Sequence, residues 1–114
     1  MQVIIHSPKS GHSLPLRALI DTGSRDSWID DSALQQLDLN VVEQDIGVSS
    51  STSQGITSSF LVEIEIPAIG LREYTAVLVG PVSCDKHDAL LGRAQLASCR
   101  LSYDGIYGKV QLSR

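Results

Sequence analysis

An apolar run that ends in an acidic turn constrains this chain more than any other feature. Arg17-Ala18-Leu19-Ile20 leads straight into Asp21-Thr22-Gly23-Ser24, and Trp28-Ile29 follow closely. Leu14, Leu16, Ala18 and Ile20 alternate with other residues, the period of a half-buried β-strand. Burying an ionised carboxylate without a partner is expensive, so a carboxylate at the end of an apolar strand points to a use for it. The plain structural reading, an aspartate that merely ends a strand in a turn, leaves the apolar lead and the exit through serine and tryptophan without a purpose.

The remainder is written as short strands with turn residues between them, which predicts an all-β fold. Gln2 to His6 reads as a strand and Ser7-Pro8-Lys9-Ser10-Gly11 as a turn. Asp30-Asp31-Ser32 offer N-caps for a short helix over residues 33–37. Val41 to Val48 looks extended, and the polar stretch 49–55 follows it. Phe60, Val62, Ile64 and Ile66 alternate with Leu61, Glu63 and Glu65, the clearest half-exposed strand in the chain. Pro67 to Gly70 turns the chain into a strand over Glu73 to Val79. Ala89-Leu90-Leu91 is a short apolar run stopped by Gly92-Arg93, and one or two helical turns fit Ala94 to Ser98. Cys99 to Tyr103 and Gly108 to Leu112 form a closing hairpin around Asp104-Gly105. Strand, glycine turn and short helix thus occur twice, at Ala18 to Leu37 and at Ala89 to Cys99, but the second copy lacks the aspartate.

Bulk properties narrow the functional classes. The 114 residues fit one domain, residues 1–114. A net charge of -4 with nine scattered Lys and Arg offers no basic stripe for nucleic acid or for an anionic membrane. No apolar stretch approaches the ~20 residues that span a bilayer, and Met1 to His6 lacks the basic lead and apolar length of a secretion signal. A soluble chain is expected, cytoplasmic or part of a longer polyprotein rather than secreted. Cys84 and Cys99 are too few for a disulfide framework, and the dispersed His6, His12 and His87 do not make a zinc site. His87 and Asp88 are expected at the surface.

Leu19-Ile20-Asp21-Thr22-Gly23-Ser24 together with Ala89-Leu90-Leu91-Gly92-Arg93 resembles the two signatures of the retropepsin-like aspartic proteases. The resemblance covers nearly the whole chain, from about Gln2 to Leu112, and the closing hairpin looks more like that of retrotransposon, bacterial and ubiquitin-receptor relatives. It implies a closed β-barrel of the acid-protease type with a β-hairpin flap, one or two short helices, and a homodimer. It further implies that Asp21, Thr22 and Gly23 form the catalytic loop. Ser50, Ser51, Thr52, Ser53, Gln54 and Gly55 would lie in the flap over an extended peptide, and Ser24, Asp26, Trp28, Gly92 and Arg93 would support the site. Neither cofactor nor metal is implied.

Two carboxylates close together can activate a water and polarise a carbonyl, since the pair holds one proton between them, the general behaviour of aspartic proteases. One such loop per chain means that the second carboxylate comes from another copy. The sequence departs from the family at Arg25, where retropepsins commonly carry an acid; Asp26 is one position further on. Arg93 is then expected to act as a buried salt-bridge partner, to Asp26 or to another group. Two rival classes remain. A non-catalytic dimerisation or peptide-binding module can share the fold. Leu19 to Gly23 also faintly resembles a motif of trimeric dUTPases, whose glycine-rich arm Tyr107 to Leu112 does not resemble.

Overall fold

In the computed structural model, residues 1–49, 54–82 and 86–114 are described. Nine strands, two short helices and one 3₁₀ turn account for them: β1 (Gln2–His6), β2 (Ser13–Ile20), β3 (Trp28–Asp30), α1 (Ser32–Leu37), β4 (Asn40–Ser49), β5 (Gln54–Ile66), the 3₁₀ turn Pro67–Ile69, β6 (Leu71–Gly80), β7 (Ala89–Leu91), α2 (Arg93–Leu96), β8 (Arg100–Asp104) and β9 (Lys109–Ser113).

The order β1-β2-β7-β3-β6-β5-β4, with β5 also pairing β1, closes six strands into a barrel and leaves β4 outside it. Closure runs through Ile4↔Glu65, Ile5↔Ile64 and His6↔Glu63. Period-2 alternation places one face of each strand inside. Val3, Ile5, Leu16, Ala18, Val62, Ile64, Ile66, Val77, Ala89 and Leu91 are all buried in one cluster. Each large aliphatic side chain so buried contributes about 1.5–3 kcal/mol. The expected all-β closed barrel is therefore the observed one, and the strands read from alternation are present with ends shifted by one to a few residues.

The three-residue β3 was not legible as a strand. It lies parallel to β6 and antiparallel to β7, so its hydrogen bonds come from both neighbours and not from any length of its own. The expected N-caps also differ. Asp31 occupies the cap position of α1 in helical conformation and makes no side-chain bond there. Asp30 instead accepts from the Ser32 backbone N–H (3.3 Å) and hydroxyl (2.7 Å), and from Val82 N–H at 3.2 Å. At its other end α1 leans on the β1–β2 turn: Ser10 Oγ donates to Leu37 O (2.6 Å) and Ser7 Oγ to Asp38 O (2.9 Å). These bonds satisfy carbonyls that a helix end leaves without partners.

β4 and β5 form a long ribbon whose described pairing ends at Ser49↔Gln54. Two register irregularities interrupt β4, and Asp45 beside one of them has φ of +58°. Bulges of this kind bend a ribbon and raise its twist. Among the described residues β8 and β9 pair only with each other, and nearly every residue of that hairpin is exposed. Asp104 Oδ1 accepts from the N–H groups of Ile106 (3.0 Å) and Tyr107 (3.3 Å), which fixes its turn. Among the described residues no helix is long and apolar enough to cross a membrane.

Candidate active site

β2 delivers Asp21 to one end of the barrel. Its register with parallel β7, Ala18↔Ala89, Leu19↔Leu90 and Ile20↔Leu91, continues one step further, where Asp21 N–H donates to Leu91 O at 2.9 Å. The chain then turns. Ser24 N–H donates to Asp21 O (3.2 Å), and Gly23 N–H donates to Asp21 Oδ1 (2.9 Å). Asp21 and Ser24 are half-buried, whereas Thr22 and Gly23 are exposed. A Cβ on Gly23 would stand 3.2 Å from Asp21 Oδ1, so a side chain there would crowd the carboxylate.

The second strand-turn-helix unit braces this loop. The backbone N–H groups that open α2 have no partners within the helix. Here they donate outward: Arg93 N–H to Ser24 O (2.8 Å) and Ala94 N–H to Arg25 O (2.9 Å). Gly92 N–H donates to Ser27 Oγ at 2.9 Å. The approach is so close that a Cβ on Gly92 would lie 2.2 Å from Asp26 O and 2.8 Å from Ser24 O. Gly92 has an ordinary extended backbone (φ -93°, ψ -175°), so packing space and not conformation demands glycine here.

Asp21, Thr22, Gly23, Ser24, Asp26, Gly92 and Arg93 are thus brought together, but not with every expected role. Arg93 is exposed and among the described residues enters no ion pair; its guanidinium donates to the backbone carbonyl of Thr22 at 2.8 Å. The expected buried salt bridge is replaced by a hydrogen bond because the loop turns a carbonyl, and not the Asp26 carboxylate, toward α2. Asp26 accepts from Ser24 Oγ through its main-chain oxygen (2.7 Å), while its carboxylate faces Arg25 at 3.5 Å. Trp28 on β3 is half-buried, with its ring over Gly80, where a Cβ would come within 2.9 Å of the ring. Of the expected flap, Gln54 and Gly55 open β5, paired to Ser49 and Val48. Ser50, Ser51, Thr52 and Ser53 lie outside the described residues, as does Cys84.

Three contributors escaped the sequence. Ser27 and Gln95 are both 1% exposed and hydrogen-bonded to each other, Ser27 Oγ donating to Gln95 Oε1. Gln95 Nε2 in turn donates to Thr75 Oγ1 at 2.8 Å, tying α2 to β6. A lone serine beside Trp28 and a glutamine in a four-residue helix carry no local signal of burial. Asp88, expected at the surface, is half-buried. It accepts from Arg17 N–H through its carboxylate (2.6 Å) and from Asp30 N–H through its carbonyl (3.0 Å), joining β2 and β3 at the entry to β7. Cys99 is a free, part-buried thiol whose pKa is raised, first by burial and then by the charge of Glu73. Among the described residues no cluster of three or more His, Cys, Asp or Glu is arranged to hold a metal ion.

Comparison with known proteins bears on this geometry. The family model described as Aspartyl protease matches residues 8–94, from the first turn to the opening of α2. No match is found among curated proteins. Among solved structures the chain is similar to the EIAV protease complexed with the inhibitor HBY-793, at TM-score 0.66 and 24% identity over 86% of this chain and 84% of that one. It is also similar to the retroviral protease-like domain of Ddi1 from Leishmania major (TM-score 0.55, 12% identity, 98% and 86% covered). A third similarity is to a retropepsin-like aspartic protease from Rickettsia conorii (TM-score 0.54, 16% identity, 91% and 85% covered). With the family match spanning most of the chain and three solved structures of similar fold, the chain belongs to the aspartyl protease family and has the retropepsin-like fold.

Proposed function

We propose that the protein is an aspartic endopeptidase that works as a homodimer, with one Asp21 from each copy forming the catalytic pair. The presentation of Asp21 carries the proposal: a strand-end carboxylate, half-buried, held by Gly23 N–H, on a loop whose tip at Thr22 and Gly23 is open. Peptide hydrolysis needs water deprotonated and the scissile carbonyl polarised within one step. One carboxylate cannot do both at once, and each chain carries a single such loop. A two-fold axis through the exposed loop tips supplies the second.

In that dimer the ionised member of the pair takes a proton from water and the protonated member donates toward the carbonyl oxygen. Thr22 braces the two loops across the axis, and Gly23 lets the substrate backbone come close. Ser24, Asp26, Gly92 and Arg93 hold the loop, and Trp28 packs behind it. The polar stretch 50–55 of the sequence serves as the lid over an extended peptide that pairs by strand addition. Apolar side chains flank the cut bond.

The exposed β8–β9 hairpin supports a dimer as well. Leu101, Tyr103, Ile106, Tyr107 and Val110 are exposed on it. A two-stranded ribbon is marginal on its own in water, and an apolar surface of this kind is suited to a second copy. An obligate interface would bury about 2,000 Å² or more.

The test is to incubate the purified chain with a mixed peptide library at mildly acidic and neutral pH, beside Asp21→Asn. Cleavage by the native chain alone, blocked by a statine-type inhibitor and indifferent to chelator, is the expected result. Absence of cleavage under every condition that yields a dimer overturns the proposal and leaves a binding or dimerisation module of the same fold. Sedimentation completes it, because a strictly monomeric chain with full activity contradicts a shared site.

A further inference from the structure

We infer that Arg25 selects substrates with acidic side chains near the cut bond, one arginine acting on each side of it. The inference rests on the proposed homodimeric protease. Arg25 directly follows the turn that carries Asp21, and its backbone is anchored by Ala94 N–H. Its root is thereby fixed while its head stands in solvent: the side chain is 81% exposed. Its described polar partner is Asp26, the adjacent residue, at 3.5 Å. An exposed pair at that separation contributes little and yields to a better-placed carboxylate. Arg93, the neighbouring cation of the loop, is engaged with Thr22 O. Of these two arginines, Arg25 is therefore the one able to turn toward a ligand, and its planar fork suits a carboxylate bidentately.

Geometry sets which substrate residues it meets. The Asp21–Ser24 turn is closed by a backbone bond, so its ends lie within about 7 Å of each other. Arg25 then starts within about 11 Å of Asp21, one Cα step of about 3.8 Å beyond that turn. An extended peptide advances about 3.3 Å per residue. The guanidinium is accordingly within reach of side chains up to about four residues from the scissile bond. Because the two-fold axis repeats the loop, the same preference appears on both sides of the cut. It also places positive charge at the site of a chain whose net charge is -4.

The experiment uses three matched peptides with apolar residues at the cut and Glu, Gln or Lys two to four residues away on both sides. The wild-type dimer should cleave the Glu peptide with kcat/KM about tenfold above the Gln peptide, and the Lys peptide slowest. The Glu advantage should shrink as salt rises from about 0.05 M to about 1 M, where screening shortens from over 10 Å to about 3 Å. Arg25→Gln should abolish the Glu preference and Arg25→Glu should favour the Lys peptide. Equal rates on the Glu and Gln peptides in the wild type overturn the inference and leave the protease proposal standing; a folded Arg25→Gln dimer that keeps the wild-type ratio does the same. If the wild-type dimer cleaves no peptide at all, both fail together. The salt series needs no variant and reads the preference even where a substitution does not fold.

Discussion

The two strand-turn-helix units of this chain, β2 with its loop running on to α1 and β7 with α2, share a plan and differ in use. Their strands lie side by side in parallel, matched residue for residue from Ala18↔Ala89 to Ile20↔Leu91. After the strand the first unit opens outward, with Thr22 and Gly23 exposed. The second closes inward: Gly92 is buried against Asp26 O, and Gln95 is 1% exposed. One unit presents a carboxylate; the other supplies the N–H groups that hold it. A glycine turn can serve either end. At Gly23 the missing Cβ clears space for a carboxylate, and at Gly92 it clears space for a neighbouring backbone.

That division of labour can be broken at three places. Asp21→Asn in the first unit should lower peptide hydrolysis by about 10³-fold or more, the scale of losing a positioned acid–base group. Circular dichroism should remain unchanged, since the asparagine oxygen can still accept from Gly23 N–H. The two glycines offer the sharper contrast. Gly92→Ala drives a methyl into backbone carbonyls and should lower stability by about 3 kcal/mol, the upper range for overpacking. Gly23→Ala meets only a carboxylate oxygen at 3.2 Å and should lower the urea midpoint far less while reducing turnover. Equal losses of stability at both positions would show that the two turns are not divided as described.

Smaller effects probe the buried link between the units. Ser27→Ala leaves Gly92 N–H and Gln95 without their shared partner and should cost about 1–3 kcal/mol in denaturant unfolding. Adding Gln95→Leu should cost less than the sum of the two single changes, because the pair is coupled. The least effect lies away from both units, on β5 and β6. The hydrogen bond from Arg72 Nε (2.6 Å) is the main cause holding the Glu63 carboxyl below its ordinary pKa, against a smaller opposing effect of desolvation. A carboxylate with a lowered folded pKa adds stability above its unfolded pKa and loses it as pH falls through the folded value. Glu63→Gln should therefore lower neutral stability slightly and remove the matching part of its decline below about pH 4.3, so that the two proteins converge in acid.

Much of the barrel was legible because burial in a sheet repeats every second residue. Val62, Ile64 and Ile66 needed no knowledge of what they touch, and the same holds for Leu16 and Ala18 leading to Asp21. The repeated unit was visible for the same reason, since both copies are written in consecutive residues. β3 was not, because three residues are too few to show a period. Asp88 and Gln95 were not, because a polar residue gives no sign of being enclosed until its surroundings are known.

What the sequence alone determined is the alternating strands, the single Asp-Thr-Gly-Ser turn and its family resemblance, all carried by neighbours in the chain. Tertiary structure decided what holds that turn. Gly92 N–H reaches Ser27 across 65 positions, and Arg93 reaches the Thr22 carbonyl across 71. Such bonds exist only because β2 and β7 settle into one register, which the whole closed barrel enforces. Side-chain type announces that Arg93 can donate; only the folded loop determines that a backbone carbonyl, and not the nearby carboxylate of Asp26, receives it.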